Sequence, residues 1–396
     1  MDAHILAAAA GAAGLAGLSP VARLPGHDRN EVWRVISTGS IHRSTCSAGS
    51  AGSASSAGGG GAATYVVKHY VAADGDGWAR EPAALEALSG SGTVPRLLGV
   101  LDEPRLVVME DLGRASHLAD ALLGRDPGRA TAALDAWVDA LARLHLATDD
   151  VALSTFAREL GTRAPESPTH QMPTLLEDAA RAYVSWGDRL GLPAPDEVAG
   201  ALTGLVSGFS TPDVALTPGD TCPDNNIVLP GGLRLLDFEG AEIRHPAWDV
   251  AYLRVPWPSC WCAWRLPSDV ADRGVQRYRD RVAASIGYVG TAAFLADLDL
   301  ATLGWCLIST AWFLPAALDD TVADEPLGGR GLVRAPGRRA LVLHRLWLAS
   351  HLPDPEGARA VLTAYARDLY RVLARRWGEP TLVLAPAYRE DDIAIP

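Results

Sequence analysis

The hydrophobic pattern of the chain changes near Ser116. Before this residue, short runs of β-branched and aromatic residues are separated by turn-forming residues, which is typical of strands joined by turns. After it, apolar residues recur every three or four positions over long segments, which is typical of helices packed on a core. A small β-rich front and a larger helical back predict an α+β fold.

The front part is predicted to form strands in three ranges, which are 24–37, 64–71 and 97–112. The Ala-rich segment 4–18 is predicted to be a packing helix that ends before Pro20. A second helix is predicted to start near Arg80, with Pro82 in its first turn, where proline is tolerated. Residues 38–63 are rich in Gly, Ser and Ala and have almost nothing to bury, so they are predicted to be a flexible surface insert.

The back part is predicted to contain helices at 130–146, 172–190, 196–209, 270–286, 298–318, 340–351 and 357–377. The range 298–318 contains Asp299 and is interpreted as a buried core helix, not as a membrane span. Asp2 stands where a signal peptide would have basic residues. The sequence therefore predicts a protein that is not membrane-bound.

The charge and the cysteines narrow the class of protein further. The chain has 35 Lys and Arg against 47 Asp and Glu, a net charge of −12. An acidic chain lacks the basic face that nucleic acid requires, whereas it is compatible with a cationic small-molecule substrate. The five cysteines are scattered and odd in number, so they do not indicate a disulfide framework. A reducing, cytoplasmic location is therefore expected.

One β-like stretch interrupts the helical part, at residues 217–254. Its runs 226–229 and 233–236 flank a Pro-Gly-Gly turn and predict a hairpin in which Asn225 faces Asp237. An amide oxygen and a carboxylate at that spacing suit Mg²⁺, which keeps substrate phosphates among its ligands. Asp220, on the incoming loop, adds a carboxylate placed to accept a hydroxyl proton.

The segments VVKHY, REPAALEAL, GDTCPDN and LLDFEGA together resemble the aminoglycoside phosphotransferase and choline kinase family. The resemblance implies a bilobal, protein-kinase-like fold with a nucleotide-binding lobe at 1–112 and a helical lobe at 113–396. It also implies an enzyme that uses ATP and Mg²⁺ to phosphorylate a hydroxyl group of a small molecule. Oligomeric state is not indicated by any motif.

The resemblance assigns a role to each matching residue. Asp220 corresponds to the catalytic aspartate, and Asn225 and Asp237 correspond to the metal ligands. Lys68 corresponds to the strand lysine that contacts the nucleotide phosphates, and Glu81 to its helix partner. The segment containing Met109, Glu110 and Leu112 resembles the hinge that reads the adenine edge, and Asp249 resembles the aspartate that braces the catalytic loop.

The single lysine of the chain supports this assignment. Lys68 is the only Lys among 35 basic residues, and it falls on the strand position where an ammonium group beside phosphates is required. Two of the three asparagines, Asn225 and Asn226, fall at the predicted metal site. The chain uses Lys and Asn rarely. Their presence at these positions therefore indicates that Arg or Asp could not replace them there.

The chain departs from the family pattern in two places. Pro218 replaces the histidine that usually precedes Gly-Asp in the catalytic loop, which bears on rate more than on reaction type. The loop expected to cover the phosphates has a single glycine, Gly26, followed by His27, Asp28, Arg29 and Asn30.

Several features have alternative interpretations. Trp248, Trp257, Trp261 and Trp264 could cage a cationic acceptor or simply pack in the core. His145 is interpreted as a core or capping histidine. Cys260 and Cys262 lack a second Cys/His pair at a suitable spacing, so they do not indicate a zinc site. The acidic residues 390–392 suit either solvent or an amine-rich substrate.

The sequence therefore predicts an O-phosphotransferase that acts on an aminoglycoside-like antibiotic. A metabolic kinase of an amino alcohol, a sugar or an amino-acid-like alcohol is the alternative. A nucleotide-binding pseudokinase is a third hypothesis, motivated by Pro218. A wide acidic cleft would favour the first hypothesis, and a closed aromatic pocket would favour a choline-sized cation.

Overall fold

The computed structural model describes residues 1–25, 29–38, 63–72, 75–192, 196–212, 214–323, 329–330, 333–353 and 356–389. Its first part contains an antiparallel sheet of five strands in the order β1-β2-β3-β5-β4. The strands are β1 (Leu18–Leu24), β2 (Asn30–Ser37), β3 (Thr64–Tyr70), β4 (Leu97–Asp102) and β5 (Arg105–Glu110). Two helices pack against them, α1 (Ala3–Ala12) and α2 (Gly77–Ala87).

The two faces of this sheet have different partners. Alternate residues of a strand point to opposite faces. Leu106 and Val108 of β5 therefore pack in a small core with α1, whereas Val107 and Met109 join the main core with α2. The same alternation on β3 buries Val67 on the α1 side. Lys68 consequently projects from the other face, into the cleft below the sheet.

Both helices of the first part differ from their predicted bounds. α1 ends at Ala12, and Pro20 lies in β1, an edge strand where a proline removes no central ladder bond. α2 begins at Gly77 because the carbonyl of Asp76 accepts the first helical N–H groups, from Ala79 and Arg80, at 2.9 and 3.0 Å. Pro82 is therefore the sixth helical residue and not part of the first turn.

The remainder of the chain is mainly helical, as the periodicity predicts. The helices are α3 (Leu118–Leu122), α4 (Pro127–Leu146), α5 (Asp150–Arg163), α6 (Met172–Leu190), α7 (Asp196–Thr203), α8 (Ala247–Val250), α9 (Ser268–Val282), α10 (Ala292–Leu318), α11 (Arg338–Ser350) and α12 (Gly357–Trp377). Short antiparallel pairs interrupt them: β6 (Ala215–Thr217) with β9 (Glu242–Arg244), β7 (Asn226–Leu229) with β8 (Gly232–Leu235), and β10 (Gly329–Arg330) with β11 (Val333–Arg334). A sheet-containing lobe and a helical lobe confirm the bilobal α+β prediction. The exact boundary at 112/113 stays a prediction.

Helix α10 is the central helix of the second lobe. It is long and apolar enough to cross a membrane by length and composition, but 72% of its most apolar window is buried inside the protein. It packs against α6, α8, α11 and α12. The prediction of a core helix is therefore confirmed.

The β7–β8 hairpin forms where it was predicted, but its register is shifted by one residue. Val228 pairs with Leu233, and Leu229 pairs with Gly232, so the loop has two residues instead of three. Gly232 makes this possible because its φ of 117° is readily adopted only by glycine. The backbone oxygen of Asn225 consequently accepts the N–H of Leu236 at 2.9 Å. The predicted pairing of Asn225 with Asp237 is therefore wrong by one residue: Leu236 lies opposite Asn225, and Asp237 follows it.

Three predicted features fall wholly or partly outside the described residues. They are the Ser/Gly-rich insert, of which 39–62 are not described, the turn residues Gly26, His27 and Asp28, and the acidic segment 390–392.

Candidate active site

Two cavities open between the lobes and share one wall. The sheet cavity, of about 420 Å³, lies below β1–β3 and β5 and is lined by Leu24, Val32, Val66, Lys68, Glu81, Met109, Glu110, Leu112, Ile227 and Phe238, among others. The loop cavity, of about 610 Å³, is lined by Tyr70, Asp76, Trp78, Gln171, Asp220, Glu239, Ser259 and Phe313, among others. The shared wall consists of Asp224, Asn225, Asp237 and Trp261. Most residues that the sequence assigned to the site therefore lie around one cleft.

Lys68 lies on the sheet side of the cleft and contacts three carboxylates. Its Nζ is 2.6 Å from Oδ1 of Asp237, 3.1 Å from Oε2 of Glu81 and 3.2 Å from Oε2 of Glu239. Burial lowers the pKa of Lys68, but the carboxylates of Asp237 and Glu81 outweigh it and raise this pKa well above its ordinary value. Lys68 is thus a fixed positive charge in the sheet cavity.

Glu81 is held on three sides and reaches the cleft from α2. Besides Lys68, it accepts a hydrogen bond from the hydroxyl of Tyr70 and one from the N–H of Phe238, at 3.2 Å. Burial raises its pKa, against the attraction of Lys68. The contact between Lys68 and Glu81 that the resemblance implies is present.

Glu239 is a cleft residue that the sequence analysis did not single out. Its Oε2 accepts from Nδ2 of Asn30 at 3.0 Å, and its Oε1 pairs with Arg29 at 3.2 Å. These contacts join the beginning of β2 to the turn after β8. Asn30, the third asparagine of the chain, therefore lies at the same site as Asn225, and the scarcity of Asn is the signal that could have found it.

Asp220 lies at the floor of the loop cavity on a tightly held turn. Its Oδ1 accepts the hydroxyl of Ser259 at 2.7 Å and the N–H of Cys222 at 3.0 Å. Burial raises the pKa of Asp220 to about 6, although both hydrogen bonds act in the opposite direction. The preceding Gly219 has φ 78°, and a Cβ there would lie 2.0 Å from the carbonyl oxygen of Gly240. The turn therefore keeps its shape by packing on Gly240, with Pro218 in place of the usual histidine.

Asn225 and Asp237 have the donor atoms that a hard cation prefers. Asn225 donates its Nδ2 to the backbone oxygen of Asp220 at 3.3 Å, so its carbonyl oxygen is the atom available to a cation. Asp237 adopts φ 60° and ψ 70°, a left-handed conformation. Asp237 lies with Asn225 in the shared wall. One amide oxygen and one carboxylate, facing two cavities, fit Mg²⁺ with substrate ligands.

The predicted hinge lies at the end of β5. Met109, Glu110 and Leu112 all line the sheet cavity. The N–H of Glu110 is used within the protein, since it donates to the carbonyl of Arg96 at 2.9 Å. The following Asp111 is paired with Arg34 at 2.6 Å, which anchors the chain as it leaves the sheet.

Of the remaining predicted residues, some lie in the core of the second lobe and one lies in the cleft. Trp248, Trp257 and Trp264 are buried in the main core, and of the four tryptophans Trp261 alone lines the two cavities. His145 is a core histidine, as predicted, and its ring nitrogens contact Tyr278 and Asp249 at 2.7 and 2.9 Å.

Asp249 is placed differently from the loop-bracing role that the resemblance implies. It pairs with Arg244 and His145 inside the second lobe. Tyr252 contacts the catalytic loop instead: its hydroxyl donates to the carbonyl of Gly219 at 3.5 Å and lies 2.9 Å from Oγ of Ser259, the partner of Asp220. The helical turn after α8 therefore supports the loop through Tyr252.

Comparisons with known proteins agree with this arrangement. The sequence model of the phosphotransferase enzyme family matches residues 47–285, more than half of the chain. No protein of curated function matches the sequence.

The fold is shared with two solved kinase structures that have TM-scores of 0.50 and 0.51. The ethanolamine kinase of Plasmodium vivax is similar with a TM-score of 0.51 and 11% identity, over 90% of this chain and 83% of that one. A choline/ethanolamine kinase family protein of Mesorhizobium loti has a TM-score of 0.50 and 14% identity, over 92% and 98%. A macrolide 2′-phosphotransferase of Brachybacterium faecium has a TM-score of 0.44 and 15% identity, over 89% and 99%. The family match over most of both lobes leads to one conclusion: this chain belongs to the phosphotransferase enzyme family.

Proposed function

We propose that this protein transfers the γ-phosphoryl group of MgATP to a hydroxyl group of a cationic small molecule. The observation that carries the proposal is the shared wall of the two cavities. Asn225 and Asp237 lie between Lys68 in the sheet cavity and Asp220 in the loop cavity. A phosphate donor on one side and a hydroxyl acceptor on the other would meet at this wall.

Each residue has a role that follows from its position. Lys68 would contact the nucleotide phosphates, and Glu81 keeps the ammonium group in place at 3.1 Å. Asn225 and Asp237 would bind Mg²⁺, which neutralises phosphate charge when bound. Asp220 would orient the acceptor hydroxyl and accept its proton, since its carboxylate lines the cavity beyond the metal site. Met109, Glu110 and Leu112 would border the adenine.

The lining of the loop cavity supports a cationic acceptor. Its described lining contains five carboxylates and one cation, Arg29; the carboxylates are those of Asp76, Asp220, Asp224, Asp237 and Glu239. Arg80 and Lys68 pair with Asp76 and Glu239 from outside the lining, so the carboxylates still outnumber the cations. Its volume of about 610 Å³ is in the range of pockets for drug-sized ligands and exceeds what a small amino alcohol needs. An aminoglycoside-like antibiotic, which carries several ammonium groups and hydroxyls, is therefore our first candidate acceptor.

A choline-like amino alcohol is the second candidate, for a different reason. Four aromatic residues also line the loop cavity, namely Tyr70, Trp78, Trp261 and Phe313. Faces of tryptophan and tyrosine attract quaternary and primary ammonium groups by cation–π interaction. A single ammonium group held by these rings would bring its hydroxyl to Asp220.

The test is ADP release by the purified protein with MgATP across three acceptor panels: aminoglycosides, choline-like amino alcohols and sugars. Asp220→Asn is the blank, because it removes the base without removing the side chain's shape. Stimulation by aminoglycosides alone, absent in the blank, is the expected result. Stimulation by amino alcohols alone would replace the first candidate with the second.

A negative result also has a defined meaning. Nucleotide binding that depends on Mg²⁺, measured by calorimetry, together with no transfer to any panel would contradict the proposal. It would favour the pseudokinase hypothesis that Pro218 raises.

A further inference from the structure

Three cysteines and one aspartate meet beside the loop that carries Asp220. Sγ of Cys262 lies 2.7 Å from Sγ of Cys260 and 3.8 Å from Sγ of Cys222. Oδ1 of Asp224 lies 2.8 Å from Sγ of Cys222 and 3.7 Å from Sγ of Cys260. The four donor atoms all lie within 4.8 Å of one another, and the three cysteines are buried.

The fold supplies the second pair of ligands that the sequence spacing lacked. Cys260 and Cys262 alone did not indicate a metal site because no further Cys/His pair follows at a suitable distance. Cys222 and Asp224 come from the catalytic loop, 38 residues before Cys260 in the case of Cys222. Their arrival beside Cys260 and Cys262 is a property of the tertiary structure alone.

The structure joins Cys222 and Cys260 by a disulfide, which the scattered cysteines did not predict. Cys262 and Asp224 lie outside this disulfide, each with a donor atom within 3.8 Å of both of its sulfurs. A disulfide sulfur has no proton, so the carboxylate of Asp224 against Sγ of Cys222 would bring lone pairs together. In the reduced protein, a cation bound between the four groups would draw each of them to itself and hold them apart from one another.

We propose that the reduced protein binds one Zn²⁺ through the thiolates of Cys222, Cys260 and Cys262 and the carboxylate of Asp224. Three thiolates select a borderline-soft cation over Mg²⁺, and four protein ligands are typical of a closed structural zinc site. Ligands about 2.3 Å from a tetrahedral ion lie about 3.8 Å apart. The separations of 3.8 and 3.7 Å already match, whereas those of 2.7 and 2.8 Å must lengthen by about 1 Å, and the Cys222–Cys260 disulfide must open, when the ion binds. A two-electron reductant, such as a dithiol or a phosphine, first converts the Cys222–Cys260 disulfide to two thiols. Zinc binding then converts the three thiols to thiolates and releases three protons.

Neighbouring groups orient the proposed ligands. The indole N–H of Trp261 donates to Oδ2 of Asp224 at 2.8 Å, which turns Oδ1 toward the sulfurs. The backbone N–H of Cys262 donates to Sγ of Cys260 at 3.4 Å. Hydrogen bonds of this kind fix ligand orientation and reduce thiolate charge in metal sites.

The zinc site would position Asp220 without touching the substrate. The N–H of Cys222 and the hydroxyl of Ser259, which precedes Cys260, both donate to Oδ1 of Asp220. Binding of both cysteines to one ion would keep these two donors at a constant separation. This consequence rests on the proposed function, whereas the metal binding itself does not.

The experiment is zinc analysis of the full-length protein purified with a non-thiol reductant and no chelator. We expect one zinc per chain in the wild type and in Cys306→Ser, a buried cysteine outside the cluster. We expect loss of the zinc in Cys262→Ser. This variant separates the two chemistries because it leaves the Cys222–Cys260 disulfide possible while removing a metal ligand.

Cobalt substitution provides a second readout that needs no variant. Co²⁺ added to the metal-free wild type should give sulfur-to-cobalt charge-transfer absorption and the strong visible bands of a tetrahedral ion, weakened in Asp224→Asn. Absence of zinc and of these bands from the reduced wild type would overturn the proposal, as would equal zinc in the wild type and Cys262→Ser.

The effect on catalysis is measured separately. If Asp220 is positioned by the site, chelation should lower kcat with little change in the KM for nucleotide, and added Zn²⁺ should restore kcat. Stoichiometric zinc in a protein that transfers phosphate to no acceptor would leave the metal site intact and contradict only the proposed function.

Discussion

Nζ of Lys68 lies 2.6 Å from Oδ1 of Asp237, 169 residues further along the chain. This contact joins the centre of β3 to the turn after β8, and so joins the two lobes at the cleft. The only lysine of the chain and a proposed metal ligand are therefore direct neighbours. Removing either residue should change the charge felt by the other.

Replacing Asp237 with Ala should weaken nucleotide binding in the presence of Mg²⁺ by about tenfold or more, because a carboxylate ligand of the cation is lost. Binding without Mg²⁺ should change much less. Calorimetric titration with and without EDTA measures the difference. Glu239→Gln is the matched control, since Glu239 also contacts Lys68 but is not a proposed ligand. An equal loss in both variants would contradict the assignment.

Replacing Lys68 with Met should destabilise the protein as well as raise the KM for nucleotide. The change leaves Glu81, Asp237 and Glu239 without their shared cation, and breaking a buried ion pair typically costs about 3–5 kcal/mol. Urea denaturation measures this loss. Adding Glu81→Gln should recover part of it, because the unpaired buried charge is removed; a strictly additive double variant would show that the pair does not interact.

Replacing Asp220 with Asn should lower kcat by about 10²–10⁴-fold and leave nucleotide affinity unchanged, since the carboxylate acts on the acceptor and not on ATP. Steady-state kinetics with the acceptor found above and direct nucleotide titration measure the two effects. Asp188→Asn, an exposed residue of α6, is the control. Near-normal turnover in Asp220→Asn would show that another group accepts the proton.

Replacing Gly219 with Ala should displace the catalytic turn. The new Cβ would meet the carbonyl oxygen of Gly240 at 2.0 Å, at a φ of 78° that disfavours alanine. A displacement of about 1 Å at a reacting group lowers rates by about 10²-fold. Gly231→Ala is the matched control, because a Cβ at Gly231 meets nothing within 4 Å. Comparable kcat in the two variants would mean that the turn tolerates movement.

Stability should fall as the pH is lowered from about 6.5. Burial, with the neighbouring charges of Arg265 and Arg345, lowers the pKa of His344 to about 3. The unfolded chain therefore binds a proton at His344 below pH 6.5 that the folded chain does not, and this group alone contributes a loss of about 2–3 kcal/mol by pH 4.5.

Urea denaturation at pH 7 and pH 4.5 tests this expectation. His344→Phe keeps the stacking on Trp347 and should reduce the pH dependence. His351→Phe, which changes the ring stacked 4.6 Å away on the same tryptophan, is the control for replacing an imidazole at this position of the fold. The same slope in all three proteins would contradict the role of His344.

The α+β class, four of the five strands of the sheet and most long helices could be predicted from hydrophobic periodicity, because each depends on local patterns of burial. Helix α5 was missed, and β1 was placed too late because Pro20 suggested a break. Local propensity does not report that a strand lies at the edge of a sheet, where Pro20 is tolerated.

The candidate site likewise has features that the sequence predicts and features that it does not. Lys68, Asp220, Asn225 and Asp237 stand out in the sequence through residue type and family pattern, since the chemistry of phosphate and metal ions restricts which side chains serve. The contacts between these residues cannot be read from the sequence. Glu239 lies 3.2 Å from Lys68 because the folded chain brings the turn after β8 to β3, which no local pattern in the sequence reports.

The sequence by itself therefore determined the two-lobed class, the residue types of the cleft and the reaction class that they imply. Only the tertiary structure decided which distant groups meet. It brought Ser259 to Asp220 and Cys222 and Asp224 to Cys260 and Cys262. The reason is that periodicity records what each segment buries, whereas contacts between segments far apart in the chain arise from the packing of whole elements around one core.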